Sequence, residues 1–386
     1  MSQKFLGQTV KNLQENGADH TAREISGQPA LWIRTWEKVS RERDDLKNFL
    51  DRVLNIDQLE VVLTGAGTSA YIGETAEPIM RGCWSPPVRA LPTTTLVTHF
   101  EHYIDPQKPL LLVSFARSGN SPESLRTVQL AEELCQKEVF HLLITCNPEG
   151  ELAQTPSSGN SYTFFLPPEA EDQSLAMTGS FTAMLLAILL IAQVEEVQSF
   201  EKEVQQLSES GQLVIDQELD KIQDIAQLDF KRAVFLGSGP RLGTARESHL
   251  KVQELTDGNV ICKYDSFLGF RHGPKAVIDE QTLLVYLFSQ DPGVLPYEKD
   301  LVKSVNEKGL GLASLGVGQK ETKEIGTDFN IALGAGGTSD SSLWPVVSVL
   351  PAQILGFFLA LKYGLKPDSP SASGAISRVV EGVTIY

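Results

Sequence analysis

The chain alternates between short, continuous apolar runs and longer segments of helical pattern. The runs are built from Val, Leu, Ile and Phe at nearly every position, and amphipathic stretches such as PESLRTVQLAEELCQK (122–137) lie between them. Runs without polar alternation indicate strands that are buried on both faces. Strands that alternate with helices favour a parallel sheet with helices on both sides.

This pattern occurs twice along the chain. The predicted strands cover 59–64, 109–115, 139–145 and 162–166 in the first half, and 233–236, 282–289, 311–315 and 329–333 in the second. Each set ends in a long apolar helix, at 181–194 and at 343–361. We therefore predict two tandem doubly wound, three-layer α/β domains that arose by internal duplication. The predicted division is a helical extension over 1–45, a first domain over 46–197, a helical linker over 198–228 and a second domain over 229–386.

Composition narrows the classes of function. The 386 residues are 41% hydrophobic and 21% charged, as in ordinary globular proteins, and the formal net charge is −16. Such a charge repels nucleic acid and anionic membranes, so neither is an expected partner. The interruption of 343–361 by two prolines and a glutamine favours a buried core helix over a membrane span.

The cysteines and the amino terminus indicate the cellular compartment of the protein. The four cysteines lack metal-ligand spacing, which argues against zinc or iron–sulfur sites, and the chain shows no signal-peptide pattern. We expect a cytoplasmic protein with no metal and no cofactor.

The first predicted strand leads into a glycine-rich turn, GAGTS, that includes Gly67, Thr68 and Ser69. The turn fits half of the dinucleotide fingerprint, but the acidic residue expected about 20 positions later for a ribose is missing from the stretch ending near Arg89. The turn is therefore a weak signal for nicotinamide binding. It remains consistent with a phosphate held by backbone N–H groups.

The second strand leads into a richer loop. It contains, in order, Arg117, Ser118, Gly119, Asn120 and Ser121, and Pro follows at 122. Pro suits the first turn of a helix and Ser suits the N-cap before it. Hydroxyls and free backbone N–H groups at a helix N-terminus form an anion site, and an arginine can add a charge-assisted contact. A capped turn without a ligand would explain the Ser–Pro pair but not the polar residues before it.

A third polar loop, 174–182, precedes the first apolar helix. Thr178 and Ser180, together with Thr182, are candidates either to cap that helix or to form the wall of a ligand pocket.

The second half of the sequence contains charged side chains that could transfer protons. Glu247, Lys251 and Glu254 are spaced four and three residues apart, which places them on one face of a predicted helix. His272 follows shortly afterwards in the sequence FLGFRHGP. Two carboxylates, an ammonium and an imidazole are groups that move protons at neutral pH, although such a stripe can also be an ordinary surface ion pair.

Taken together, these motifs resemble the SIS (sugar isomerase) family of phosphosugar-binding domains. GAGTS, the SFARSGNS loop, the E-x-x-x-K-x-x-E stripe and the HGP sequence all match that family, over nearly the whole chain. FLGFRHGP and the tail over 371–386 are similar to the AgaS group of galactosamine-6-phosphate deaminases and tagatose-6-phosphate isomerases. The chain is also similar to the isomerase half of glucosamine-6-phosphate synthase.

The resemblance implies a flavodoxin-like fold and a homodimer or larger assembly with shared active sites. It assigns phosphate contacts to Thr68, Ser69, Ser118 and Ser121, and it implies that His272 reaches a neighbouring subunit. The chain differs from the synthase at two positions: Gln253 stands where the synthase has a lysine, and the tail near Arg378 has no lysine.

The expected reaction moves a proton between C1 and C2 of an open-chain hexose or hexosamine 6-phosphate. In this scheme His272 opens the ring, Glu254 removes the proton, Lys251 stabilises the enolate charge and Glu247 orients the others. With an amine at C2 the same shift gives an imine, which water converts into a ketose phosphate and ammonia. Galacto or gluco substrates, plain isomerisation, and a non-catalytic phosphosugar sensor remain as alternatives.

Overall fold

The structure is a computed structural model, which describes residues 3–154, 159–320, 322–334, 341–379 and 384–385. It begins with a small hairpin and a run of helices that precede the first sheet. These elements are β1 (Lys4–Phe5), β2 (Gln8–Thr9), α1 (Val10–Glu15), α2 (Asp19–Arg41) and α3 (Arg43–Leu54).

A five-stranded parallel sheet forms the first half. Its strands are β3 (Glu60–Thr64), β4 (Val88–Ala90), β5 (Leu110–Ala116), β6 (Val139–Thr145) and β7 (Ser161–Phe165), in the order β4-β3-β5-β6-β7. The accompanying helices are α4 (Thr68–Met80), α5 (Thr93–Tyr103), α6 (Pro122–Leu134), α7 (Glu151–Gln154) and α8 (Gly179–Ile191). Side chains of α5 and α6, such as Leu96 and Leu130, pack on Val62 and Leu112 of the sheet. Helices α4 and α8 pack against each other and on the same sheet.

The second half repeats this arrangement after α9 (Glu201–Gln217) and α10 (Leu219–Gln227). Its strands are β8 (Arg232–Gly237), β9 (Ile261–Ser266), β10 (Thr282–Leu287), β11 (Ala313–Gly318) and β12 (Phe329–Ala332), in the order β12-β11-β10-β8-β9. The helices are α11 (Pro240–Leu255), α12 (Phe267–Phe270), α13 (Leu295–Asn306), α14 (Trp344–Ser348) and α15 (Leu350–Lys362). Both sheets place the first strand of their set second from one edge, so the predicted duplicated α/β fold is confirmed.

Besides the small hairpin β1–β2, the sequence analysis missed two strands, one at the same edge of each parallel sheet. β4 is only three residues long, and β9 (ICKYDS) contains charged residues and is only partly buried. Edge strands lack the continuous apolar pattern because one side of each has no neighbouring strand. The eight strands that were predicted are all present, with shifts of a few residues at their ends.

Both predicted apolar helices lie in the protein interior. Trp344–Lys362 is long and apolar enough to cross a membrane, and Gly179–Ile191 combined with Val194–Gln217 would pass the same test as one bent span. However, 94% of the apolar window of the first is buried inside the protein, and every residue of α8 is buried.

The chain forms two compact units. One comprises Met1–Pro29, Gln173–Thr178 and Gln205–Ile376, and the other comprises Ala30–Asp172, Gly179–Val204 and Ser377–Tyr386. We call the first the β8–β12 unit and the second the β3–β7 unit, after the sheet that each contains. The division predicted at residues 45, 197 and 228 stays a prediction.

Candidate active site

The first glycine-rich turn lies at the carboxyl end of β3, where α4 begins. Gly67 caps the helix with φ 56° and ψ −128°, a conformation that side-chain-bearing residues rarely adopt. A Cβ atom on Gly65 would lie 2.6 Å from the Cβ atom of Ser69, so both glycines are needed for this turn. Thr68 and Ser69 are 5% and 6% exposed and stand in the first turn of α4. The turn therefore has the shape that the sequence predicted, at the sheet end where ligands bind in open α/β folds.

The second loop follows β5 and leads into α6. As predicted, Ser121 is the N-cap residue and Pro122 opens the helix, but the Ser121 hydroxyl donates to Glu123 Oε2 at 2.7 Å and does not cap the backbone. The Ser118 hydroxyl accepts from the Asn120 backbone N–H at 3.3 Å. Gly119 has φ 72°, which turns the chain back towards the helix. These hydroxyls and amides are grouped at a helix N-terminus, the arrangement that binds anions.

Sequence reasoning missed the segment that supports this loop. Asn147 Nδ2 donates to the Ser118 carbonyl at 3.0 Å, and the Glu151 backbone N–H donates to Asn120 Oδ1 at 2.9 Å. Gly150 passes so close that an added Cβ atom would lie 2.4 Å from the Ser118 carbonyl oxygen. The sequence CNPEG directly after β6 could have identified this segment, because loops after parallel strands meet at one edge of the sheet.

Arg117 contacts the carboxyl-terminal tail, and its predicted contact with a phosphate stays a prediction. It is 7% exposed, and its Nη2 atom donates to the backbone carbonyl of Arg378 in the carboxyl-terminal tail. The Arg378 side chain in turn donates to the Asp172 carbonyl, from Nε at 3.0 Å and from Nη2 at 2.6 Å. The tail is thus bound to the loop after β5 through this pair of arginines. Residues 380–383 and 386 of the tail motif lie outside the described residues.

The third loop holds the N-terminus of α8. Buried Asp172 accepts hydrogen bonds from the backbone N–H groups of Gly179 and Ser180, at 3.1 and 2.9 Å, and from the Ser180 hydroxyl at 2.5 Å. Thr182 accepts from Trp32 Nε1 at 3.0 Å. Ser180 therefore lies at the start of α8, with the carboxylate of Asp172 at the positive end of the helix dipole. Thr178 belongs to the β8–β12 unit, is fully buried and accepts from Gln353 Nε2 at 3.3 Å.

The predicted stripe of charges on α11 forms a buried ion triad. Lys251 is fully buried, and its Nζ atom lies 2.6 Å from Glu254 Oε2 and 3.4 Å from Glu247 Oε1. Glu247 is also fully buried, whereas the side chain of Glu254 is 22% exposed. Helix α15 packs closely here, because an added Cβ atom at Gly356 would lie 3.2 Å from the Lys251 carbonyl oxygen. Of the three groups, only Glu254 reaches solvent, and its Oε1 atom accepts no hydrogen bond from a described residue.

The ammonium of Lys251 is fully buried in this arrangement. It is enclosed between two carboxylates, and burying one cation with two anions is stable only when their geometry is well fixed. The role that this geometry allows is to hold Glu254 in one orientation. Glu254 lies near the end of α11, about 20 Å along the helix axis from its start at Pro240, at 1.5 Å per residue.

The remaining candidates of this unit divide into exposed and structural residues. His272 is exposed and follows α12, and Gly273 after it has φ 117°. Gln253 accepts from the Cys262 backbone N–H at 3.2 Å and so holds the start of β9. His249 donates from Nδ1 to the Arg246 carbonyl and packs on Tyr264 at 4.9 Å between ring centroids. Burial lowers the pKa of His249 to about 4, so it stays neutral at physiological pH.

No group of three or more metal-ligating side chains occurs among the described residues. The SIS domain family matches residues 56–194, which contain β3–β7 and their loops. D-galactosamine-6-phosphate deaminase AgaS of Escherichia coli is 37% identical over 368 residues, which are 95% of each chain.

Solved structures extend the likeness to the whole fold. A Clostridium novyi NT protein, provisionally described as a tagatose-6-phosphate ketose/aldose isomerase, is 37% identical and superposes with a TM-score of 0.96 over 100% of both chains. The C-terminal domain of glucosamine-fructose-6-phosphate aminotransferase from Francisella tularensis has the same fold, with 20% identity and a TM-score of 0.74 over 89% of this chain and 96% of that domain. The chain therefore belongs to the AgaS family of SIS-domain proteins.

Proposed function

We propose that the protein is a phosphosugar aldose–ketose isomerase and deaminase that converts galactosamine 6-phosphate into tagatose 6-phosphate and ammonia. The observation that carries this proposal is the ion triad on α11, in which buried Lys251 holds Glu254 Oε2 at 2.6 Å and leaves Oε1 available. The names of the E. coli and C. novyi relatives support this class of substrate.

In this proposal the sugar phosphate binds by its phosphate group to the hydroxyls and N–H groups of the two loops. Thr68 and Ser69 contribute from the first loop, and Ser118 to Ser121 contribute from the second, with Asn147 supporting the second from behind. The phosphate lies remote from the reacting carbons. Its binding energy therefore serves to orient C1 and C2 for reaction.

Glu254 then acts as the general base. Once the exposed imidazole of His272 has passed a proton from the anomeric hydroxyl to the ring oxygen, the open chain carries an aldehyde at C1. Glu254 Oε1 takes the C2 proton and returns it to C1, while one proton leaves the C2 amine and another is added to O1. The product has a hydroxymethyl group at C1 and an imine at C2. Water adds to the imine, and ammonia leaves. Lys251 acts as a positioning residue, and Glu247 balances its charge.

The subunit arrangement belongs to the same proposal. We propose a homodimer in which His272 serves the site of the neighbouring chain, since its side chain is exposed. Plain isomerisation of tagatose 6-phosphate is the second candidate, favoured by the description of the C. novyi relative. It uses the same residues and releases no ammonia.

The test is turnover by the purified protein with galactosamine, glucosamine and tagatose 6-phosphates, read as ammonia by a coupled assay and as C1–C2 proton exchange in D₂O by NMR. Galactosamine 6-phosphate should give one ammonia per ketose formed, and Glu254→Gln should abolish both signals while the phosphosugar still binds. Proton exchange at C1 or C2 without release of ammonia would favour plain isomerisation. Binding without exchange would select a phosphosugar sensor and end the proposal.

A further inference from the structure

The turn that begins α11 repeats the turn that begins α4. Gly239 has φ 55° and ψ −129°, and Gly67 has φ 56° and ψ −128°. In both turns the glycine two residues earlier, Gly65 or Gly237, could not carry a Cβ atom without overlapping the first turn of the helix. The φ and ψ angles of the glycine before each helix therefore agree within one degree between the two halves.

The strands next to the turn also correspond. β10 pairs with β8 as β5 pairs with β3, so each sheet has a crevice where its first and third strands end. The register pairs Ser114 and Tyr286 with the last residue before each glycine-rich turn, which makes Ser289 the counterpart of Arg117. By the rule for open α/β sheets, each crevice is a place for a ligand.

In the β8–β12 unit this crevice contains a carboxylate of the chain itself. Glu298 of α13 is fully buried, and its Oε2 atom accepts from the Ser289 backbone N–H at 2.8 Å. The Ser238 hydroxyl also hydrogen-bonds to the carboxylate, and the guanidinium of Arg241, which is 8% exposed, adds a favourable charge. The Oε1 atom has no hydrogen-bond partner among the described residues. Burial raises the pKa of this carboxyl, and these three neighbours oppose the rise.

The groups around Glu298 are those that proteins use to bind an external oxyanion. A backbone N–H, a serine hydroxyl and a buried guanidinium converge at a helix N-terminus, as in a phosphate site. Glu298 lies in the crevice of the β8–β12 unit that corresponds to the crevice between β3 and β5. Its position is therefore the one where the duplication predicts an anion. Glu254 lies at the other end of α11. Among the described residues no hydrogen bond joins it to Glu298.

We propose that the second crevice is a former anion site whose ligand is now part of the chain, and that removing the Glu298 carboxylate reopens it to a tetrahedral oxyanion such as inorganic phosphate. The natural chain then has one crevice open to phosphate and one closed by its own side chain. This inference does not depend on the proposed reaction, because it concerns a crevice without catalytic residues.

The experiment compares Glu298→Ala, which removes both the charge and the volume, with Glu298→Gln, which removes only the charge. Thermal unfolding is recorded in phosphate and in chloride at equal ionic strength. All proteins carry Ser118→Ala and Ser121→Ala to weaken the first crevice. Phosphate should raise the melting temperature of the Ala variant by several degrees more than that of the Gln variant or of the parent, since an anion stabilises only a folded state that can bind it.

Equal shifts in the three proteins would overturn the proposal. If Glu298→Ala does not fold in chloride, the yield of folded protein after dilution from urea is measured instead. Phosphate should raise this yield for the Ala variant and leave it unchanged for the Gln variant. Failure of phosphate to restore it would count against the site. Broadening of the ³¹P signal of inorganic phosphate by the Ala variant, and not by the Gln variant, tests direct binding.

Discussion

Lys251 Nζ lies 2.6 Å from Glu254 Oε2, and the lysine is fully buried while the glutamate is 22% exposed. The pair therefore combines a buried cation with a carboxylate that is partly open to solvent. Under the proposed function, the buried lysine holds the base in place and the partly exposed glutamate is the group that contacts the substrate.

Lys251→Met should lower kcat by about a hundredfold or more with little change in KM, because Glu254 loses the group that orients it. It should also destabilise the protein by about 3–5 kcal/mol, since the remaining carboxylates are left without their buried cation. The two effects are measured by steady-state kinetics and by urea unfolding.

The double variant Glu247→Gln/Lys251→Met separates positioning from stability. Removing the second charge should recover part of the unfolding free energy, because only one carboxylate then remains near the vacated position. We expect kcat to stay low. A kcat that recovers together with stability would mean that Lys251 serves only the fold.

Ser118→Ala combined with Ser121→Ala should raise the KM for a hexosamine 6-phosphate about tenfold or more, because hydrogen bonds to a charged group contribute about 1.5–3 kcal/mol each. The substrate without its phosphate, galactosamine, is the matched control and should be processed equally poorly by both proteins. An unchanged KM for the phosphorylated sugar would place the phosphate elsewhere.

His249→Phe should flatten the pH dependence of stability below neutral pH. Burial lowers the pKa of His249 to about 4 from an ordinary 6.5, so the unfolded chain takes up a proton as the pH falls through 6.5 and the folded chain does not. The natural protein therefore loses up to about 1.4 kcal/mol per pH unit between these values, and the variant does not.

Urea unfolding at pH 7, 6 and 5 measures this difference for His249→Phe. The exposed residue His20, changed to Phe, provides the control and should keep the slope of the natural protein. Identical slopes for all three proteins would show that His249 titrates alike in the folded and unfolded chains.

Mixing Glu254→Gln chains with His272→Ala chains tests the shared site. If His272 serves the neighbouring subunit of a homodimer, random assembly should return about a quarter of the natural activity, because half of the dimers are mixed and each has one intact site. Both variants alone should be inactive. A mixture as inactive as its parents would assign each active site to a single chain.

Much of the fold could be predicted from local pattern, because continuous apolar runs and glycine-rich turns depend on nearby residues. The turn at Gly67 and the helix start at Ser121 follow from residue type alone. β9 was missed because an edge strand tolerates the charged residues in ICKYDS. The partner of Arg117 could not be foreseen, since it is a backbone carbonyl 261 residues further along the chain. Burial of Lys251 likewise depends on α15, which only the tertiary structure brings onto α11.

The bond from Arg117 to the tail has a practical consequence for mutational scanning. Its acceptor is the main-chain oxygen of Arg378, which every amino acid provides, so replacing the side chain at that position leaves the acceptor in place. A library of substitutions would therefore score the position by its contacts with Glu171 and Asp172 and would not detect its link to the loop after β5. Deleting the chain from Ser377 onward removes the acceptor itself. Affinity tags used for purification are accordingly better fused at the amino terminus.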